Sequence, residues 1–218
     1  MLSAAIMDPR IGDAMPPRAS VGADHRDGGV LDDDQRDLAL LERLRASDPA
    51  ALDALLHRYW RPLVSYAARL LPEGEDAEDV AQEALIRIWE RRLLLASDTA
   101  LRPLLYRIAR NIALNRKRGW RTRNGWHARL SVTRRSQSTT PLQTTLEHEL
   151  QQAIDEAIRA LPPRRRDAFI LARFHDMSYS QIALVMGISA QTVANQISSA
   201  LSELRRALAP FLESRTLE

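Results

Sequence analysis

The sequence predicts an all-α protein built as two small helical bundles joined by a flexible linker. Three observations point there. Apolar residues recur at steps of three and four through most of the 218-residue chain. No segment sustains the two-residue alternation of a half-buried strand. A stretch rich in Arg, Ser, Thr, Gln and Gly, residues 119–146, interrupts the helical pattern in the middle.

Taken in order, residues 1–34 are frequent in Gly, Pro and Asp and show no apolar period, which predicts a disordered acidic extension. A short helix is expected over about 35–46. Residues 49–71 place Leu52, Leu55, Leu56, Tyr59, Trp60, Leu63, Val64 and Ala67 on one face, and Asp48-Pro49 supplies an N-cap and a first-turn proline. Pro62 falls inside this helix and predicts a kink. Residues 77–89 repeat the pattern with Val80, Ala81, Ala84, Leu85 and Ile88, and residues 101–113 with Leu101, Leu105, Ile108, Ala109 and Ile112. Together these make a four-helix unit over 35–118. The linker of about 28 residues spans roughly 90 Å when fully extended, so the flanking units need not touch. The second unit, 147–212, opens with the stripe Leu150, Ala153, Ile154, Ala157, Ile158 and Leu161. Pro162-Pro163 starts a helix to about Phe174. Ser178 with Gln181 is a capping-box signature, and Ser189 caps a last helix with Val193, Ile197, Ala200, Leu201, Leu204 and Leu208 on its apolar face.

Composition narrows the class further. The chain has no Cys, which excludes a disulfide scaffold, a thiolate metal site and a Cys nucleophile, and suits a reducing cytoplasm. No run approaches the ~18 apolar residues of a membrane span, and Asp8, Pro9 and Arg10 stand where a signal peptide would be apolar. The net charge of +3 hides strong segregation. Seven acids stand against three Arg in residues 1–34, and seven against Arg87 alone in residues 73–90. Residues 102–135 hold eleven bases and no acid, a block that points to a polyanionic partner. The five His are scattered, without HxxxH or HExxH spacing, and no GxxxxGK is present. No catalytic residue, metal site or cofactor site is expected.

Residues 179–198, YSQIALVMGISAQTVANQIS, fit a helix-turn-helix. Ala183 is small where the helices cross, Gly187 allows a left-handed turn, and Ile188 and Val193 close the core between them. The second helix then presents Gln191, Thr192, Asn195, Gln196, Ser198 and Ser199 outward. Gln and Asn can read adenine in a major groove, and Ser and Thr can bond phosphates. A plain helical hairpin with a glycine turn is the competing reading; the spacing of Ala183, Gly187 and Val193 together with the polar outer face favours DNA binding.

At these residues the chain resembles the extracytoplasmic-function branch of the sigma-70 family of bacterial transcription initiation factors. DAEDVAQEALIRIWE (76–90) is similar to the family's core-polymerase-binding segment, and LYRIARNIALNRKR (105–118) to the helix that meets the −10 promoter element. ALPPRRRDAFILARFHDMSYSQIALVMGISAQTVANQ (160–196) resembles the domain that reads the −35 element. The resemblance covers roughly 35–118 and 147–210. It implies a cytoplasmic promoter-specificity subunit that is not membrane-embedded. It implies three partners: core RNA polymerase (the β′ clamp helices and β flap), promoter DNA and an anti-sigma factor.

Residue by residue, it implies core-polymerase contacts at Asp76, Asp79, Gln82, Glu83 and Arg87. The acids there also suit a helix N-terminus. For −10 DNA it implies the strip Arg107, Arg110, Asn111, Asn115 and Arg118, with Ser97, Asp98 and Thr99 in the preceding loop holding an unstacked base. For −35 DNA it implies Arg165, Ser189, Gln191, Thr192, Asn195, Gln196 and Ser199. The linker, with Trp120 and Trp126, would thread through polymerase. The chain departs from the family pattern at Leu104, where relatives often carry Trp, and at Asn115, where many carry Asp. Ala194, Asn195 and Gln196 stand where relatives often place Lys or Arg, which implies a shallower salt dependence for this domain. Two other readings compete: a helix-turn-helix regulator that binds DNA without polymerase, and a helical protein–protein adaptor. The first leaves the acidic and basic helices of the upstream unit without a role. The second predicts no salt-sensitive DNA affinity.

Overall fold

A computed structural model describes residues 27–72, 75–124 and 145–213. Among these residues all regular structure is helical: α1 (Asp27–Arg45), α2 (Pro49–Leu70), α3 (Ala77–Glu90), a single 3-10 turn (Arg92–Leu94), α4 (Leu101–Asn124), α5 (Thr145–Ala160), α6 (Pro163–Phe174), α7 (Tyr179–Met186) and α8 (Ala190–Glu213).

Local chemistry sets the boundaries. Asp48 accepts from the Ala50 amide at 2.9 Å and Pro49 opens α2, so an acceptor meets one orphan amide of the first turn and a ring stands where an amide would have no partner. The helix then runs through Pro62 to Leu70. Asp76 caps α3 by accepting from the Glu78 and Asp79 amides. At α7 the capping box is complete: Ser178 Oγ accepts from the Gln181 amide and Gln181 Oε1 accepts from the Ser178 amide. Gly187 ends α7 at φ 66, ψ 42, in the left-handed region.

Helices α1 to α4 enclose Leu41, Leu44, Leu55, Leu63, Leu85 and Leu105, all at most 1% exposed. Helices α5 to α8 enclose Phe169, Leu171, Ile182, Val193, Ala200 and Leu204.

Two expectations are corrected. Helix α1 begins at Asp27, so residues 27–34 are helical rather than disordered. Its acids are held by the neighbouring helix. Arg58 Nε bonds Asp37 at 2.8 Å and Arg58 Nη2 bonds Asp33 at 3.1 Å, while Tyr59 donates to the buried Asp37. Helix α4 extends to Asn124 and α5 starts at Thr145, so both invade the segment expected to be linker. Arg and Lys are good helix formers, and a basic run at a helix C-terminus is favoured by the dipole. The two units, whose contact the linker length left open, touch. Their buried residues form one continuous apolar cluster, with Tyr66 of α2, Tyr106 of α4 and His175 after α6 meeting at the junction. Residues 1–26 and the linker residues Trp126, Arg129, Arg134 and Arg135 lie outside the described residues.

Candidate nucleic-acid and protein interfaces

The acidic face belongs to α3. Because Val80, Ala81, Ala84, Leu85 and Ile88 point into the bundle, Asp79, Gln82, Glu83 and Arg87 are left on the outer side. Arg87 pairs with Glu83 one turn earlier. Arg116 reaches across from α4 to Asp79 at 3.3 Å and Glu83 at 3.1 Å. The two carboxylates are thereby held in one orientation, though exposed pairs of this kind contribute little stability. Asp76 is spent on the helix cap and is set apart from the outer face. Sequence reasoning missed Ile86. It is 47% exposed in a shallow groove with Asp79, Glu83, Arg87 and Glu90. An apolar side chain amid ionised ones suits a partner that buries it. The available signal was its place off the apolar stripe.

The basic side belongs to α4. Leu101, Leu105, Ala109, Ile112 and Ala113 anchor the helix, so Arg107, Asn111, Asn115 and Arg118 line an exposed side. Ser97 and Asp98 are exposed at the loop tip, and Thr99 borders a groove of about 360 Å³ with Leu95, Leu104, Arg107 and Leu184. Arg110 is the exception. Its side chain is 16% exposed and its guanidinium Nε donates to Asp167 of α6.

The recognition helix is α8. Ser189 Oγ accepts from the Thr192 amide at 3.1 Å and lies 2.8 Å from the Thr192 hydroxyl. Gln191 Nε2 donates to Asn195 Oδ1 at 3.2 Å. The outer face is thus pre-ordered by its own side chains, with Gln191 and Asn195 exposed and Gln196 and Ser199 half-buried beside them. Arg165 is not free on the surface: it pairs with Glu203 of α8.

Sequence reasoning gave no role to the junction. Asp167 is 3% exposed and accepts from the Tyr66 hydroxyl at 2.7 Å as well as from Arg110. Burial first, then the Asp167 charge, raises the Tyr66 phenol well above its ordinary value, so it remains a donor. Arg102 donates to the His175 carbonyl, and the Tyr106 hydroxyl lies 3.0 Å from His175 Nδ1. Arg69 stacks 3.7 Å over the Phe174 ring. Burial, then the Arg102 and Arg69 charges, lowers the His175 imidazole to about 4, so it is neutral near pH 7. His175 Nε2 finds no hydrogen-bond partner among the described residues. The only hint in the sequence was Asp167 itself, a single acid in the run PPRRRDAF.

Among the described residues no cluster of His, Asp and Glu is arranged to hold a metal. None of the described helices is long and apolar enough to cross a membrane.

A polar recognition helix on one bundle and a strongly basic helix on the other define a DNA-binding transcription protein. Comparison with known proteins gives the family. Residues 55–123 match the model of sigma-70 region 2, and residues 151–204 that of sigma-70 region 4. The chain is 30% identical over 192 residues to the RNA polymerase sigma-H factor of Pseudomonas aeruginosa, covering 82% of this chain and 96% of that protein. It is 32% identical over 178 residues to the ECF RNA polymerase sigma factor SigL of Mycobacterium tuberculosis, covering 78% and 96%. Two solved structures share the fold. One is CnrH in complex with the cytosolic domain of CnrY (TM-score 0.60, 22% identity, 80% and 97% covered). The other is RpoE with the anti-sigma factor NepR from Bartonella quintana (TM-score 0.52, 23% identity, 82% and 97% covered). The chain belongs to the extracytoplasmic-function branch of the sigma-70 family of RNA polymerase sigma factors.

Proposed function

We propose that the two faces of the upstream bundle divide the work of initiation. The acidic face of α3, with Asp79, Gln82, Glu83, Arg87 and Ile86, docks on the β′ clamp helices of core polymerase. The basic side of α4 follows the −10 strand through Arg107, Arg110, Asn111, Asn115 and Arg118. The loop residues Ser97, Asp98 and Thr99 receive an unstacked base. The α8 face of Gln191, Thr192, Asn195, Gln196 and Ser199 reads the −35 duplex. The protein acts in the cytoplasm and redirects an enzyme while catalysing nothing itself. Two structural neighbours are described in complexes, one with CnrY and one with the anti-sigma factor NepR. An anti-sigma factor is therefore the expected third partner.

The observation that carries this reading is the charge arrangement of the upstream bundle. Two adjacent helices carry opposite charge on separate outer faces, and the basic block has no acid of its own between residues 102 and 135. Within it Arg110 is paired with Asp167 and Arg116 with Asp79 and Glu83, and the exposed Arg107 adds positive charge on the same helix, an excess that favours a polyanion.

The test is run-off transcription with sigma-free bacterial core polymerase and pooled genomic promoter fragments. The intact protein is expected to yield new transcripts. Asp79→Arg and Arg107→Glu are each expected to abolish them, the first with loss of polymerase binding and the second without it. Tight duplex binding with no transcript would favour a polymerase-independent regulator instead.

A further inference from the structure

Helix α4 faces two ways. Arg116 stands nine residues beyond Arg107, about two and a half helical turns, so the two point to opposite sides. Arg107 is exposed on the side read as the −10 surface, whereas Arg116 lies against α3 with its side chain 28% exposed. Its guanidinium forks there. Nη1 donates to Asp79 Oδ2 at 3.3 Å and Nη2 to Glu83 Oε2 at 3.1 Å. Glu83 Oε1 accepts from Arg87 at 2.5 Å, so both of its oxygens are engaged. Asp79, with its side chain 57% exposed, gives one oxygen to Arg116 and stays accessible to a partner. Gln82, Ile86 and Glu90 complete the groove around this network.

We propose that Arg116 is a positioning residue for core-polymerase docking. It braces Asp79 and Glu83 from behind, so α3 meets its partner with both carboxylates already oriented. The inference rests on the reading of the α3 face as the polymerase contact. Asp79 and Glu83 stand four residues apart on one helix, a spacing at which like charges repel. A guanidinium presents separate N–H donors in a fixed plane and holds two carboxylates at once; a single ammonium nitrogen holds them less rigidly. The acids are thus ordered before association, and immobilising them no longer weakens binding. Pairs this exposed add little stability, so the gain lies in orientation rather than in the fold. Arg116 lies 33 residues from Glu83 and outside the segment 76–90 that marks the polymerase contact, so the chain alone gave it no such role. Its positive charge beside the acids gives the proposal a sign. A cationic partner would bind more tightly if Arg116 acted by charge alone and were removed. Loss of orientation predicts the reverse.

The test is titration of sigma-free bacterial core polymerase onto the immobilised full chain, with dissociation followed in real time. Asp79→Ala should weaken binding about tenfold or more. Arg116→Gln should weaken it about fivefold, mainly through faster dissociation. Its helicity should be unchanged and its urea midpoint should move by no more than about 0.5 M. In the Asp79→Ala background, Arg116→Gln should cost no more than about twofold further, because the acid it orients is gone. A structural defect, or a direct contact between Arg116 and polymerase, would give the same fivefold loss in both backgrounds, and that result overturns the proposal. Unchanged or tighter binding of Arg116→Gln overturns it too. Arg116→Lys still holds one acid and should lose less than Arg116→Gln; an equal or greater loss overturns the forked brace. If Arg116→Gln does not fold, Arg116→Lys in the same two backgrounds decides. Undiminished binding of Asp79→Ala refutes the docking of α3 itself, and the brace with it. A loss with Asp79→Ala and none with Arg116→Gln refutes the brace alone.

Discussion

Gly187 sets the turn of the helix-turn-helix, and its replacement tests whether backbone conformation alone explains the residue. At φ 66, ψ 42 it is the left-handed cap of α7, and its amide donates to the Ala183 carbonyl at 2.9 Å. The Ile188 amide reaches the same carbonyl at 3.2 Å. A Cβ added at Gly187 meets no atom within 4 Å. Crowding therefore contributes nothing, and the cost of Gly187→Ala is the left-handed penalty of about 1–2 kcal/mol. Loss of backbone freedom in the unfolded chain offsets about 0.4–1 kcal/mol of this. The net loss is about 1 kcal/mol. With a urea slope of about 2 kcal/mol per molar, the unfolding midpoint falls by about 0.5 M. Gly187→Asn should cost less, since Asn tolerates this region. Urea titration of the full chain, followed by circular dichroism, measures all three proteins. Equal midpoints for Gly and Ala would show that the positive φ is not required. A loss above about 3 kcal/mol would mean that packing, absent from the structure, governs the site.

Three further outcomes are expected. Folded His175 stays neutral to about pH 4, whereas an unfolded imidazole protonates near 6.5. Its contribution to stability is thus complete above pH 6.5 and falls as the pH drops toward 4, by at most about 1.4 kcal/mol per unit. The groups facing it are Tyr66 and Arg69 of α2 and Arg102 and Tyr106 of α4. Nearby Asp37, raised by burial, acts in the opposite sense at the acid end. Melting curves at pH 7, 6 and 5 should separate from those of His175→Asn; parallel curves would contradict the assignment. Ser178→Ala removes the acceptor of the capping box and should cost about 1 kcal/mol, read as a lower urea midpoint. Ile86→Glu, at an exposed position, should leave the midpoint within about 0.5 kcal/mol while weakening core-polymerase binding in a pull-down titration. Unimpaired binding would remove Ile86 from the interface.

The legible parts of this protein are those decided within a few residues. Asp48, Ser178 and Ser189 each cap the helix they precede, as their spacing predicts, and Gly187 adopts the positive φ its position demands. The stripes on α3 and α8 bury the residues expected and that on α4 buries or half-buries them, but on α2 Leu56 is exposed and Tyr66, which the stripe passed over, is fully buried. Charge patterning marked the acidic and basic faces, because solvent-facing charge is visible as composition. Ile86 and Asp167 were passed over because a single residue of the wrong polarity has no period. Helix ends were the weakest reading. The acids of α1 looked like a disordered tail; the partners of Asp37, Arg58 and Tyr59, lie 21 and 22 residues beyond it.

What the sequence by itself determined is the set of helices, their caps, their apolar faces and the order of the family's motifs. All of these follow from hydrogen bonds and burial periods that repeat every three to four residues. The tertiary structure alone decided the docking of one bundle on the other. Asp167 meets Arg110 from 57 residues away and Tyr66 from 101. Pairing at that range depends on shape complementarity and on the balance between desolvation and Coulomb attraction, and neither leaves a local trace in the chain.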